Sequence, residues 1–167
     1  MDEIKPIGAD TNAHDSIIRA VRVLLNQYPD LQENEVIRFE DLQTDYGIAF
    51  SSDSGALIME QAENILGEVM QTCIYPFFVV YRTAANRENL KINIQDFLNK
   101  LGTWLAKEPV IINDIKYQLK TYPTLTQDRK ITKITRMNAY ATTPNENGVQ
   151  DWLLPVTLEY KYEFERW

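Results

Sequence analysis

One histidine and one cysteine in 167 residues leave this chain poor in the side chains that most often carry chemistry. With Cys73 alone, no intramolecular disulfide can form, and zinc sites of the paired-cysteine type are excluded. With His14 alone, a multi-histidine metal site is excluded, and any Ser-His-acid or Cys-His arrangement would depend on a residue at the start of a helix. The six glycines are isolated, so neither the phosphate-cradling loop nor the dinucleotide fingerprint is present, and no G-x-S-x-G turn occurs. Long apolar runs are missing too. The longest, residues 74–81, is interrupted by Pro76 and is far too short to span a bilayer. Residues 1–10 are acidic and lack the basic start and apolar segment of a signal peptide, which leads to the expectation of a protein made and kept in the cytoplasm. Positive charge is also scarce: 17 Lys and Arg against 24 Asp and Glu give a formal charge of -7. That balance argues against a general nucleic-acid binder, which needs clustered cations to displace counterions from phosphates. It favours solubility, and it would suit a surface past which DNA slides without sticking.

What the chain does have is a long, regular strand at its C-terminal end. From Leu154 to Phe164 every even position is apolar (Leu154, Val156, Leu158, Tyr160, Tyr162, Phe164), and the odd positions are Pro155, Thr157, Glu159, Lys161 and Glu163. A period of two makes one apolar and one wet face, so residues 152–167 form a half-buried β-strand that needs partner strands and a covering layer. Two helices supply the cover. In the first, Ile17, Ile18, Val21, Leu24, Leu25 and Tyr28 fall on one helical face, with Asn12 as N-cap, Asp15 in the first turn and Pro29 as the stop. In the second, expected over residues 94–106, Asn93 is the cap, Asp96 the third position, Ile92 a staple against Phe97, and Ile94, Phe97, Leu98, Leu101 and Leu105 the buried stripe.

The remaining segments read as β. Short strands are expected at 36–40 and 46–50, a turn at 51–55, and a hairpin from strands 56–61 and 68–83. The second arm of that hairpin is unusually long. Pro76 cannot donate a ladder hydrogen bond, which predicts a bend or an edge position there. Further strands follow at 110–112, 116–121 and 131–140, with loops at 122–128 and 142–148. Arg129, Lys130, Lys133 and Arg136 are the one basic concentration, and along a strand they divide between both faces. The Tyr-Pro pairs at Tyr28, Tyr75 and Tyr122 are equally spaced, but their flanks do not repeat. The sum is one α+β domain, residues 1–167, with a loose start over 1–11: a mainly antiparallel twisted sheet, two helices packed on one face, and a long β-hairpin extension.

No motif in the chain supplies a catalytic, cofactor or metal residue. Asp41-Leu-Gln-Thr-Asp-Tyr-Gly47 resembles a calcium loop, but Tyr46 occupies the glycine position and Ser52 that of the bidentate glutamate. A carboxylate pair is set by space and not by sequence spacing, so a small carboxylate-based cytoplasmic enzyme stays open as an alternative. A binding or structural protein is the leading reading, with Trp152, Tyr162, Phe164 and Trp167 crowded into the last strand.

Tyr75-Pro-Phe-Phe-Val-Val-Tyr-Arg-Thr83, Trp152-Leu-Leu-Pro-Val-Thr-Leu-Glu-Tyr160, Phe164-Glu-Arg-Trp167 and Ile37-Arg-Phe-Glu-Asp-Leu-Gln-Thr44 followed by Ile48-Ala-Phe-Ser-Ser52 resemble the minor capsid proteins of tailed phages and prophages of Gram-positive bacteria, and among them the tail terminators of long-tailed phages. The resemblance runs from the first helix to the C-terminus as overall texture and not as one diagnostic motif. It implies a homo-oligomeric ring, typically a hexamer, that caps the tail tube, stops its polymerisation and offers a surface to the head-tail connector or stopper protein. It also implies a place at the head-tail junction of the virion, after assembly in the host cytoplasm, with DNA only passing through. No catalytic residues, cofactor, metal or membrane come with it. Another head-tail joining protein, a stopper or tail-completion factor, is the nearest alternative. For the oligomer or tube contact the expected residues are those around the hairpin tip: Met59, Glu63, Asn64, Ile65, Leu66, Gly67, Glu68 and Met70.

Overall fold

The computed structural model describes residues 5–167 apart from 33–34, 45, 85–87 and 127. Two 16-residue strands, β5 (Glu68–Thr83) and β10 (Gln150–Glu165), form its spine. They pair antiparallel over their whole length, from Gln150 opposite Thr83 to Glu165 opposite Glu68. At about 3.3 Å per residue this ribbon is roughly 50 Å long.

Shorter strands flank it. On the β5 side lie β4 (Leu57–Glu63), against the first half of β5, and β3 (Gly47–Ser52), against the second. Outside these sit the two-residue strands β1 (Gly8–Ala9), on β4, and β2 (Arg38–Phe39), parallel to β3. On the β10 side lie β8 (Arg129–Arg136) and β9 (Tyr140–Ala141). A separate hairpin joins β6 (Val110–Ile112) to β7 (Ile115–Tyr117). The sheet is antiparallel apart from the β2–β3 pair.

Register explains the layering. On β5, Cys73, Tyr75, Phe77 and Val79 face one side, and across from them on β10 stand Tyr160, Leu158, Val156 and Leu154; all eight are buried. Onto this face pack α1 (His14–Leu25) and α2 (Glu88–Leu105). Helix α1 brings Ile17, Ala20, Val21, Leu24 and Leu25, and α2 brings Ile94, Leu98, Leu101, Trp104 and Leu105, into one continuous apolar cluster. Gly102 lets β8 close on α2, because a Cβ there would lie 2.9 Å from the side chain of Arg136. On the opposite face Ile74, Phe78, Leu153 and Pro155 are only half-buried.

Several expectations need correction. The start of the chain is not loose as far as residue 11: Gly8 and Ala9 pair with Ile58 and Leu57, and Asp10 is buried. Residues 1–4 lie outside the described residues. Asn12 does not cap α1, whose N-cap is Ala13 without a side-chain bond; the polar side chain that organises this corner is Asp10, which accepts the Asn12 backbone N–H. Helix α2 begins at Glu88, so Asn93 lies inside it and Ile92 is exposed instead of stapled. Pro76 is in a central strand. Its carbonyl accepts from the Asp53 N–H at 3.1 Å, and in an antiparallel ladder N–H and C=O of one residue point the same way. The missing donor therefore faces the junction where β4 gives way to β3, and Pro76 has no ladder partner in either strand. The strand expected over 131–140 is split into β8 and β9.

Candidate interaction surface

Strand β8 pairs with β10 only as far as Tyr162. Beyond that point β10, β5 and β4 run on as a three-stranded tip, where the Glu163 N–H donates to the Asp128 carbonyl at 3.3 Å on the β8 side. The loop that closes β4 and β5 is built by two residues. Asn64 Oδ1 accepts from the backbone N–H groups of Leu66 and Glu68 at 2.9 and 3.0 Å, and its Nδ2 donates to Glu68 Oε2 at 2.8 Å. Gly67 takes φ +82°, the left-handed region that an Asn or Gly loop reaches most easily.

The end of the chain clamps this loop. The Arg166 N–H donates to the Gly67 carbonyl at 2.9 Å, and the Arg166 guanidinium pairs with Glu63 at 2.8 Å. Trp167 lies flat enough on Gly67 that a Cβ there would come within 2.7 Å of its indole. Backbone bonds and side chains thus fix the tip, while its apolar groups stay in water: Ile65 is 96% exposed, Leu66 66% and Trp167 78%. Met70 is also exposed. Single apolar side chains on a surface are ordinary; four of them on one ordered projection make it a candidate contact surface. Beside them stand Glu68, Glu163 opposite Met70, and Glu165, and Glu68 faces Glu165 directly across the ladder, an unfavourable like-charge pair.

Of the eight residues expected at a contact, seven are together here: Glu63, Asn64, Ile65, Leu66, Gly67, Glu68 and Met70. Met59 is apart from them, half-buried at the irregularity between Ile58 and Glu60. Arg166 and Trp167 belong to the surface as well. The signal for them was the aromatic end of β10, whose register against β5 carries Trp167 to the turn.

A second polar cluster lies inside the protein. The Asp10 carboxylate accepts from Arg129 Nε and Nη2 at 2.9 and 2.8 Å and from the Tyr160 hydroxyl at 2.6 Å. Arg129 also stacks on Tyr162, 3.8 Å from its ring centre. Burial alone would raise the Asp10 pKa, but the bonds from Arg129 and Tyr160 outweigh it and hold the carboxyl below its ordinary value. Burial pushes the neighbouring Cys73 thiol up to about 11. With Asp10, Arg129 and Tyr160 all buried, this is an interior tie between the residue after β1, β8 and β10. His14 is exposed and stands edge-on to Phe39, 5.9 Å between ring centres. In the discarded calcium loop, Asp41 pairs with Arg38 and residue 45 lies outside the described residues. Among the described residues no three His, Cys, Asp or Glu side chains are grouped to hold a metal ion, and no helix is long and apolar enough to cross a membrane.

No family model matches the chain, and no curated protein matches it.

Proposed function

We propose that this protein is a structural subunit of a phage tail, a terminator whose ring caps the tail tube, stops its growth and presents a surface for head joining. The observation that carries the reading is the clamped tip, which holds Ile65, Leu66 and Trp167 in water. Exposed apolar groups on an ordered loop suit assembly, because little conformational entropy is left to lose when a partner covers them. The stretches in β5 and β10 that resemble phage minor capsid proteins are the spine from which this tip projects.

The mechanism is geometric. A head-to-tail contact repeated around a closed ring fixes a diameter, and a face that matches the tube end without repeating the tube's own binding surface ends polymerisation. The chain works without turnover, cofactor or metal. Its partners are further copies of itself, the tail tube protein and a connector or stopper, while DNA passes through unbound, in the virion and, before that, in the cytoplasm of the host during assembly.

Removing residues 63–67 from the gene in its phage tests the reading. Loss of tails of defined length, with heads still filled, is expected; normal rings and tails from the deletion would remove the tip from the account. A wild-type protein that binds the portal side and not the tube would make it a stopper.

A further inference from the structure

The helices cover one face of the sheet; on the other, the register sets out a series of rows from the tip inward. Glu68 stands opposite Glu165, Met70 opposite Glu163, Thr72 opposite Lys161, Ile74 opposite Glu159, Pro76 opposite Thr157 and Phe78 opposite Pro155. Strand β8 lengthens two of these rows, with Lys130 opposite Lys161 and Lys133 opposite Glu159. Toward β3 the face is covered by the segment after β2: a Cβ on Gly47 would lie 3.3 Å from Leu42, and Arg82 Nη1 donates to the Gln43 carbonyl at 3.1 Å. Between that cover and the lysines, Ile74, Phe78 and Pro155 are only half-buried. Met137, whose N–H donates to the Pro155 carbonyl at 3.0 Å, is 69% exposed.

Two like-charge pairs of opposite sign mark this face. Lys130 and Lys161 are exposed and directly opposed, and among the described residues neither has an ion-pair partner. Lys133 is taken up by Glu159 at 3.8 Å, and the acid in the lysine row, Glu60, is two strands away from Lys161, on β4. The lysine pair is unfavourable in the free chain, as Glu68 against Glu165 is at the tip. On both surfaces an apolar group stands two positions from the charged pair: Leu66 from Glu68, and Ile74 from the row that holds Lys161 and Lys130. We infer that the acidic, apolar tip of one copy docks on the lysine-bearing, helix-free sheet face of a second copy, with Ile65 and Leu66 over Ile74, and Glu68 and Glu165 beside Lys161 and Lys130. Each like-charge pair then meets its opposite, and apolar side chains left in water on both copies are covered. Tip and face are different surfaces of one chain, so the contact is head-to-tail and can close into a ring. The inference rests on the ring proposed above and supplies the contact that builds it.

Disulfide trapping tests it. Native Cys73 is buried and gives little background. Ile65→Cys lies on the exposed turn, and Thr157→Cys on the helix-free face opposite Pro76. Mixed under mild oxidation, the two variants should form the 65–157 disulfide in excess over the 65–65 and 157–157 products. Charge supplies an independent arm. Lys130→Glu with Lys161→Glu should weaken self-association about tenfold, as should Glu165→Lys with Glu68→Gln, which keeps an acceptor for Asn64 Nδ2. Mixing the two altered proteins should restore association. A dominant 65–65 or 157–157 product, no 65–157 product at millimolar protein, or no restoration on mixing overturns the contact. Tube binding by the wild type separates the two claims. If the tube is bound and the 65–157 disulfide is absent, the contact alone falls; if the disulfide forms and no tube is bound, the contact stands and the tail reading falls.

Discussion

Asp10 is the residue on which the N-terminal segment depends, because its carboxylate satisfies Arg129 and Tyr160 together in the interior. Removing one partner of a buried ion pair strands the other, at about 3–5 kcal/mol. Arg129→Met is therefore expected to lower stability by that order in urea unfolding. The pH dependence follows from the lowered Asp10 pKa: its stabilisation is full above the unfolded value of 3.8 and is lost as pH falls from there through the folded value. Comparing unfolding between pH 6 and pH 2 should show Asp10→Asn less stable than wild type at pH 6 and the gap closing in acid. A gap of constant size would contradict the assignment. Nothing in the sequence marks Asp10, since its partners lie 119 and 150 residues away and only the folded register joins them. Cys73, by contrast, lay in an apolar strand; with its thiol pushed up to about 11 inside the core, it should resist thiol reagents at pH 8 until the protein unfolds.

Among the elements, the hairpin of β4 and β5 with the end of β10 has the most to lose from small changes. Gly67→Ala combines a left-handed backbone with a Cβ driven into Trp167, so we expect a loss of about 1–2 kcal/mol and release of the C-terminal clamp. Fluorescence of Trp167 in the variant, against Trp167→Phe as blank, reports that release directly. The strands were legible because their signal is local: alternation marked β10, and the long apolar arm marked β5 to both of its ends. The helix starts were not. Asn12 and Asn93 have the right chemistry for caps, but pairing of β1 with β4 fixes the entry to α1, and α2 starts at Glu88, ahead of Asn93. The tip was legible as a hairpin and its clamp was not, because Arg166 and Trp167 reach Glu63 and Gly67 across a hundred residues of chain.

For the molecule as a whole, the proposed assembly role rests on a buried helical layer on one sheet face and an exposed apolar tip at the end of the longest strands. In the proposed reading, closing the ring and meeting the tube are tasks for surfaces, and a formal charge of -7 would let DNA pass without sticking. The most direct measurement of this account mixes purified protein with tubes of the tail tube protein of its phage and images the products by electron microscopy, with wild type against a variant lacking residues 63–67. The account predicts rings at one end of tubes that have stopped growing, and bare, lengthening tubes with the variant. Tubes that ignore the wild-type protein, or that the trimmed variant caps equally well, would contradict it.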